Sequence, residues 1–271
     1  MSSMSSMSSM SSSAFDLQGK VAVVTGGNGG IGLGFARGFA KSGANIAIWS
    51  RNLEKSAKAV AELESLGVRA VAFKVDVNIR ADIDQAVIDT VAKLGSIDIL
   101  VANAGITIRK RPEDFSKADW KDVLDTNLTA VFECCQAVYP EMKKRGGGKI
   151  ITIGSMTSIF GFGITSAYAA TKGAVVQLAK SLAVAWGADN IQVNAVLPGW
   201  VKTEMTTQSR SIPGLEQQVM QRTPANRWGT GSDFEGVAGF LGSAASDFVT
   251  GIAIPVDGGF SGTLFIFDPP I

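Results

Sequence analysis

Thr25-Gly26-Gly27-Asn28-Gly29-Gly30-Ile31-Gly32 follows the apolar run Val21 to Val24 and opens an amphipathic segment. Such a strand-to-helix turn lets the backbone approach a pyrophosphate closely, and the N-terminus of the following helix favours its negative charge. The glycines frame as Gly27-x-Gly29-x-x-Gly32 or as Gly26-x-x-x-Gly30-x-Gly32. Glycines also serve plain turns. A position after a strand, before a helix and near the start of the fold separates dinucleotide binding from that plainer use.

Outward from this turn, short apolar runs alternate with longer amphipathic segments. Strands are predicted at Val21–Thr25, Ile46–Trp49, Ala70–Val75, Ile97–Ala102, Lys149–Ile153, Ile191–Val196 and Ala253–Val256. Helices are predicted at Ile31–Lys41, Glu54–Leu66, Ala81–Lys93, Ala118–Lys144, Ser166–Ala185 and Asp233–Ser243. Continuous Val/Ile/Ala runs imply strands buried on both faces, and long connections imply crossover helices. The pattern is a doubly wound α/β domain with one parallel sheet of about seven strands. It spans 14–271 with no Pro/Ser linker dividing it. The irregular stretch from Trp200 to Thr230 holds Pro213, Gly214 and Pro224, exceeds an ordinary connection, and is a candidate lid.

After the second strand comes Trp49-Ser50-Arg51-Asn52. A carboxylate there would suit the ribose of NAD. A hydroxyl with a guanidinium suits a 2′-phosphate, so the cofactor expected is NADP, with NAD also open. Arg51 could equally be a solvated residue at a helix start.

Tyr168 and Lys172 stand four apart, and Ser155 lies thirteen positions upstream of Tyr168. On a helix, i and i+4 share a face, so phenol and ammonium can enter one cleft. A nearby cation favours the ionised phenol, whose ordinary pKa is ~10. This makes Tyr168 a proton donor and acceptor for reversible carbonyl reduction. Tyr139 and Lys143 repeat the spacing without a matching serine, and Pro140 is expected to interrupt the helix there. That second pair reads as structural.

Composition narrows the classes. The chain has 271 residues, 46% hydrophobic, with a formal net charge of +1. Nothing in that balance calls for nucleic acid or an anionic membrane. Two adjacent cysteines, Cys134 and Cys135, and no histidine argue for a reduced, cytoplasmic setting and against a zinc site. The Met-Ser-Ser repeat of residues 1–13 lacks the basic and apolar regions of a signal peptide and reads as a disordered tail. No run approaches the ~20 apolar residues of a membrane span.

The ordered set of motifs resembles the short-chain dehydrogenase/reductase family, from about Asp16 to Gly262. It comprises the 25–32 turn, Asp76-Val77, Asn103-Ala104-Gly105, Asn127, Ser155, Tyr168, Lys172, Pro198-Gly199, Thr203 and Val256-Asp257-Gly258-Gly259. The resemblance implies a Rossmann-type fold and a metal-free, NADP-preferring alcohol dehydrogenase or carbonyl reductase. Tyr168 would be the acid/base, and Ser155 would hold the substrate oxygen. Lys172 would lower the pKa of Tyr168 and hold the nicotinamide ribose. Asn127 would anchor a water in a proton relay, unless it only caps a helix break. The cofactor would meet Gly26, Asn28, Gly30, Ile31 and Gly32 at the turn, then Ser50, Arg51 and Asn52. Asp76 and Val77 would contact adenine, and Asn103, Ala104 and Gly105 would pack along the cofactor. Pro198, Gly199, Val201 and Thr203 would meet the nicotinamide, though Thr203 could instead start a helix. Relatives that prefer NADP often carry a basic residue at the position of Gly29, so a glycine there leaves the 2′-phosphate to Ser50 and Arg51.

Within that family the chain looks most like gluconate and deoxygluconate dehydrogenases or 3-oxoacyl reductases. Arg109-Lys110-Arg111, with Arg210, Arg222 and Arg227 from the lid, offers cations for a carboxylate substrate. Trp200, Met205 and Phe162 offer an apolar pocket instead. Because loop cations are usually solvated, the balance falls on a neutral carbonyl. Two other classes stay open: a silent cofactor-binding scaffold or sensor, and an isomerase or dehydratase on the same fold. The family is mostly homotetrameric, with the Tyr168 helix, the 118–144 helix and the last strand at its interfaces. The apolar Leu264-Phe265-Ile266-Phe267 is expected to cover a neighbour or the lid.

Overall fold

A computed structural model of the chain describes residues 13–263. The repeat before Ser13 and the Leu264–Phe267 segment lie outside the described residues.

Successive side chains of a strand point to opposite faces, and here both faces are buried. In β1, Val21–Thr25, the residues Val21 and Val23 enter one core while Ala22 and Val24 enter another. The other strands are β2 Asn45–Ser50, β3 Ala70–Lys74, β4 Ile99–Ala102, β5 Gly148–Ile153, β6 Ile191–Pro198 and β7 Ala253–Val256. They form one sheet in the order β3-β2-β1-β4-β5-β6-β7, with every pairing parallel. Register is direct: Val21 faces Asn45 on β2, and Ala22 faces Ile99 on β4.

Helices cover both faces. On one lie α1 Gly30–Lys41, α2 Leu53–Glu64 and α9 Glu235–Gly242, whose Phe35, Phe39, Leu63 and Leu241 pack on Ile48 and Val101. On the other lie α3 Arg80–Leu94, α5 Ala130–Lys144 and α6 Ser166–Trp186, which bury Ile83, Val138 and Val175 against Leu100 and Ile150. The crossing of α1 with the chain entering α9 is unusually close. A Cβ added at Gly34 would stand 1.9 Å from the Gly231 carbonyl oxygen, and one at Gly38 2.4 Å from that of Glu235.

The structure departs from the sequence expectations in three places. The single helix expected over 118–144 is two, α4 Lys117–Leu124 and α5, joined by a π turn at Asp125–Thr129. The extra residue of a π turn shifts the helix register, and Asn127 at its centre is turned inward and fully buried. Pro140 does not interrupt α5, because its ring sits on the exposed face, where helix hydrogen bonds lengthen most easily. The 200–230 stretch is not irregular: it contains α7 Thr207–Arg210 and α8 Leu215–Arg222. A parallel bridge between Val201 and Gly229 closes its base. Both helices are short, and Gly214 and Pro224 mask their periodicity in the sequence.

Candidate active site

The winding of the sheet reverses between β1 and β4, and ligands of open α/β sheets bind at that crevice, beyond the strands' carboxyl ends. A cleft of about 790 Å³ opens there, against the carboxyl-terminal sides of β1, β4, β5 and β6.

The glycine turn forms its floor. Gly26 and Gly30 have φ of +63° and +53°, a region that side chains rarely adopt. A Cβ at Gly32 would lie 2.5 Å from the Gly26 carbonyl oxygen, so Gly32 closes the turn on itself rather than facing the cleft. Gly26, Asn28, Gly30 and Ile31 do line it. The opposite loop is tied to this floor: Asn103 and Ala104 donate backbone N–H groups to Thr25 Oγ1 at 2.9 Å, and Asn103 Nδ2 donates to the Thr25 carbonyl at 2.9 Å. Gly105, Asp76 and Val77 continue the wall. An exposed backbone cradle opening onto a helix fits the pyrophosphate of a dinucleotide.

At the β2 corner, Ser50, Arg51 and Asn52 all line the cleft. Asn52 caps α2, its Oδ1 accepting the Lys55 N–H at 2.9 Å. Ser50 departs from expectation, since its hydroxyl already accepts from Asn28 Nδ2 at 2.9 Å and lies 2.6 Å from Ser56 Oγ. Arg51 is exposed and makes no hydrogen bond or ion pair among the described residues, so its guanidinium is the available donor.

Ser155, Tyr168 and Lys172 converge where β5 meets α6. Ser155 Oγ accepts the Thr157 N–H at 3.1 Å, which leaves its own hydrogen to donate. Tyr168 is half-buried and lines the cleft. Burial pushes its pKa up, and the Ser155 hydroxyl and the Arg109 guanidinium work against that rise. Lys172, one turn along α6 from Tyr168, stands on the same face of the helix. Its Nζ stands 5.4 Å from the Tyr168 ring centroid and donates to the Ile153 carbonyl at 2.7 Å. Burial lowers its own pKa to about 8. Asn127 does not line the cleft. Its Oδ1 accepts the Ile106 N–H and its Nδ2 donates to the Ile106 carbonyl, each at 2.8 Å, and Nδ2 also reaches Thr171 Oγ1 at 3.3 Å. The side chain thus holds the loop after β4 to α6.

The fourth side is the end of β6 and the start of the 200–230 segment, where Pro198, Gly199, Val201 and Thr203 line the cleft. A Cβ at Gly30 would come within 2.9 Å of Thr203 Cγ2, so the 200–230 segment starts directly over the glycine turn. The cations sort differently than the sequence suggested. Lys110 pairs with Asp119 at 2.7 Å and Arg111 with Glu113 at 2.6 Å. Arg227 is clamped by Asp233, and Arg222 covers the Phe260 ring at 4.5 Å. Arg210 donates to Thr207 Oγ1 and does not line the cleft. Only Arg109 of the six acts on Tyr168, and it also donates to the Met205 carbonyl at 3.2 Å. Lys55, Asn78 and Glu204 line the cleft without having been singled out from the sequence, and Met205 of the expected apolar pocket lines it too. Lys55 alone left a trace there, as a cation three residues past the Asn52 cap.

Among the described residues no group of His, Cys, Asp and Glu could hold a metal ion, and no helix is long and apolar enough to cross a membrane.

Residues 26–261 match the protein family described as enoyl-(acyl carrier protein) reductase. A gluconate 5-dehydrogenase from Gluconobacter oxydans (strain 621H) is 42% identical over 255 residues, covering 92% of this chain and 98% of the relative. A 2-dehydro-3-deoxy-D-gluconate 5-dehydrogenase from Dickeya dadantii (strain 3937) is 39% identical over 249 residues, with 92% and 98% covered. A gluconate 5-dehydrogenase from Burkholderia cenocepacia J2315, solved in complex with NADP and tartrate, superposes with a TM-score of 0.88. It is 41% identical and covers 93% of this chain and 98% of its own.

Proposed function

The chain belongs to the short-chain dehydrogenase/reductase family of NAD(P)-dependent oxidoreductases that interconvert secondary alcohols and ketones, and from that premise we propose an NADP-preferring sugar-acid dehydrogenase. The substrate class rests on Arg109, a neighbour of the cleft rather than part of its lining. Arg109 is the one cation of its cluster without a carboxylate partner, and it sits close enough to influence Tyr168. A planar guanidinium there suits a substrate carboxylate. The relatives' names, gluconate and deoxygluconate dehydrogenases, support the same reading.

In this reading Tyr168 exchanges a proton with the substrate oxygen while Ser155 donates a hydrogen bond to that oxygen. When bound, the nicotinamide supplies or accepts the hydride. Ser155 and Arg109 offset the burial of Tyr168, and Lys172 adds a cation beside its ring. The π turn and Asn127 keep the loop after β4 in place along the cleft, where it would pack against the cofactor. Arg51 would hold the 2′-phosphate, in keeping with the NADP seen in the Burkholderia relative. The 200–230 segment acts as the lid. Assembly as a homotetramer in the cytoplasm completes the proposal, supported by the nearly full exposure of Val184 and Phe248.

A second reading has its own observation. Ile159, Phe162, Ile164 and Met205 are exposed, and Phe162 packs edge-on against Trp200. These residues suit an apolar cyclic ketone. Measuring kcat/KM with NADPH for 5-ketogluconate and for a matched neutral ketose decides between them. The expected outcome favours the acid, with about a ten-fold loss for that substrate alone in Arg109→Ala, the scale of one charge-assisted hydrogen bond. Equal use of both substrates, unchanged by the substitution, points to the apolar ketone.

A further inference from the structure

The glycine turn contains no cation, yet an ammonium stands over it. A side-chain carbon added at Gly29 would lie 2.7 Å from Lys55 Nζ. Lys55 belongs to the first turn of α2, and the Asn52 cap on its backbone N–H fixes where its stem begins. Its partner is Glu204 Oε1, 2.6 Å away at the start of the lid, and both residues line the cleft. The pair bridges the cleft from the β2 corner to the lid base. It is also weakly shielded, with the Glu204 side chain 84% exposed and that of Lys55 33% exposed. Ion pairs as open as this hold loosely.

The surrounding donors give Lys55 a purpose. The Ser50 hydroxyl is engaged by Asn28 and Ser56, so it brings little to an incoming anion. The free cationic groups on this corner are Arg51 and, once released from Glu204, Lys55. A phosphate monoester carries more than one negative charge and three strong acceptor oxygens, whereas Glu204 offers a single charge.

We propose that Lys55 is a cofactor-binding residue for the 2′-phosphate of NADP, and that Glu204 occupies its ammonium until the phosphate displaces it. This rests on the NADP reading above. Lys55 supplies from α2 the charge that the glycine turn lacks. Glu204 then sets a threshold: a dinucleotide without the 2′-phosphate has nothing with which to displace it. Discrimination between the two cofactors therefore comes from an attractive cation and from a competing carboxylate together.

Calorimetric titration of the cofactor-free protein with adenosine 2′,5′-bisphosphate and with 5′-AMP isolates the contribution of the 2′-phosphate. Lys55→Gln should weaken the bisphosphate about ten-fold and leave 5′-AMP within about two-fold, as expected of one partly exposed charge-assisted contact. Glu204→Gln should tighten the bisphosphate, and Lys55→Gln/Glu204→Gln should bind it no better than Lys55→Gln alone. Lys55→Arg should retain the preference, and thermal melts of each variant establish that it folds. The proposal is overturned if Lys55→Gln leaves bisphosphate affinity unchanged, if it weakens both ligands equally, or if Glu204→Gln weakens binding. Wild-type protein that binds neither ligand defeats the dinucleotide reading itself. Wild-type binding with indifferent variants defeats the role of Lys55 alone.

Discussion

Tyr168 and Tyr139 share the Tyr-x-x-x-Lys spacing and end in opposite surroundings. Tyr139 donates to Asp189 Oδ2 at 2.6 Å, accepts from Lys143 and stacks on Trp186. Tyr139→Phe should cost about 0.5–1.5 kcal/mol of stability, one hydrogen bond's worth, and leave turnover unchanged. Denaturant melts with parallel assays check this, and a dead but fully stable Tyr139→Phe would refute the division. Lys172 carries a pH signature. Folding lowers its pKa from 10.5 to about 8, so the unfolded chain binds more protons in that interval. Stability of the cofactor-free protein from this group therefore rises with pH from about 8 toward 10.5. Melting temperatures of wild type and Lys172→Met across that range should diverge in favour of the wild type, and a constant difference would contradict the assignment. The i, i+4 pair and the upstream serine were legible in the sequence because spacing alone places them. The balance of burial, Ser155 and Arg109 around Tyr168 was not, because it depends on residues brought in from the chain after β4 and after β5.

At the scale of elements, strands and main helices were readable to within a few residues, since apolar period and glycine breaks mark them. The π turn was not. Thr126-Asn127-Leu128-Thr129 contains no breaker, and the signal for the turn is a hydrogen-bonded partner, Ile106, twenty-one residues earlier. Asn127→Ala leaves the Ile106 N–H and carbonyl without their buried partner, which should cost about 1–3 kcal/mol. Urea midpoints measure it, and an unchanged midpoint would show that the bridge holds nothing. The glycines of α1 were equally opaque, because Gly34 and Gly38 read as weak helix residues until the backbone of the α9 entry is seen lying against them. Gly34→Ala drives a methyl into the Gly231 carbonyl, where no side chain can give way. A loss of roughly 1–3 kcal/mol or more is expected, against the gain of a few tenths to 1 kcal/mol that Ala brings to an open helix. A stabilised Gly34→Ala would mean that α1 and the α9 entry part easily.

For the whole molecule, several large apolar side chains among the described residues are left uncovered by one chain. Val184 on α6 and Phe248 before β7 are 86% and 103% exposed, and Trp120 on α4 and Phe132 on α5 are exposed too. Surfaces of this kind mark interfaces in soluble proteins. Light scattering at micromolar concentration should give a mass several times that of the 28.3 kDa chain. Phe248→Asp should lower that mass, and a monomeric wild type would refute the assembly. The central claim is that this assembly reduces a sugar acid with NADPH through the hydroxyl of Tyr168. It is tested most directly by following NADPH oxidation with 5-ketogluconate for wild type and Tyr168→Phe, with NADPH affinity measured on both. The account predicts turnover by the wild type, a loss on the order of 10²–10⁴-fold in Tyr168→Phe, and equal cofactor affinity. Turnover retained by Tyr168→Phe would contradict it.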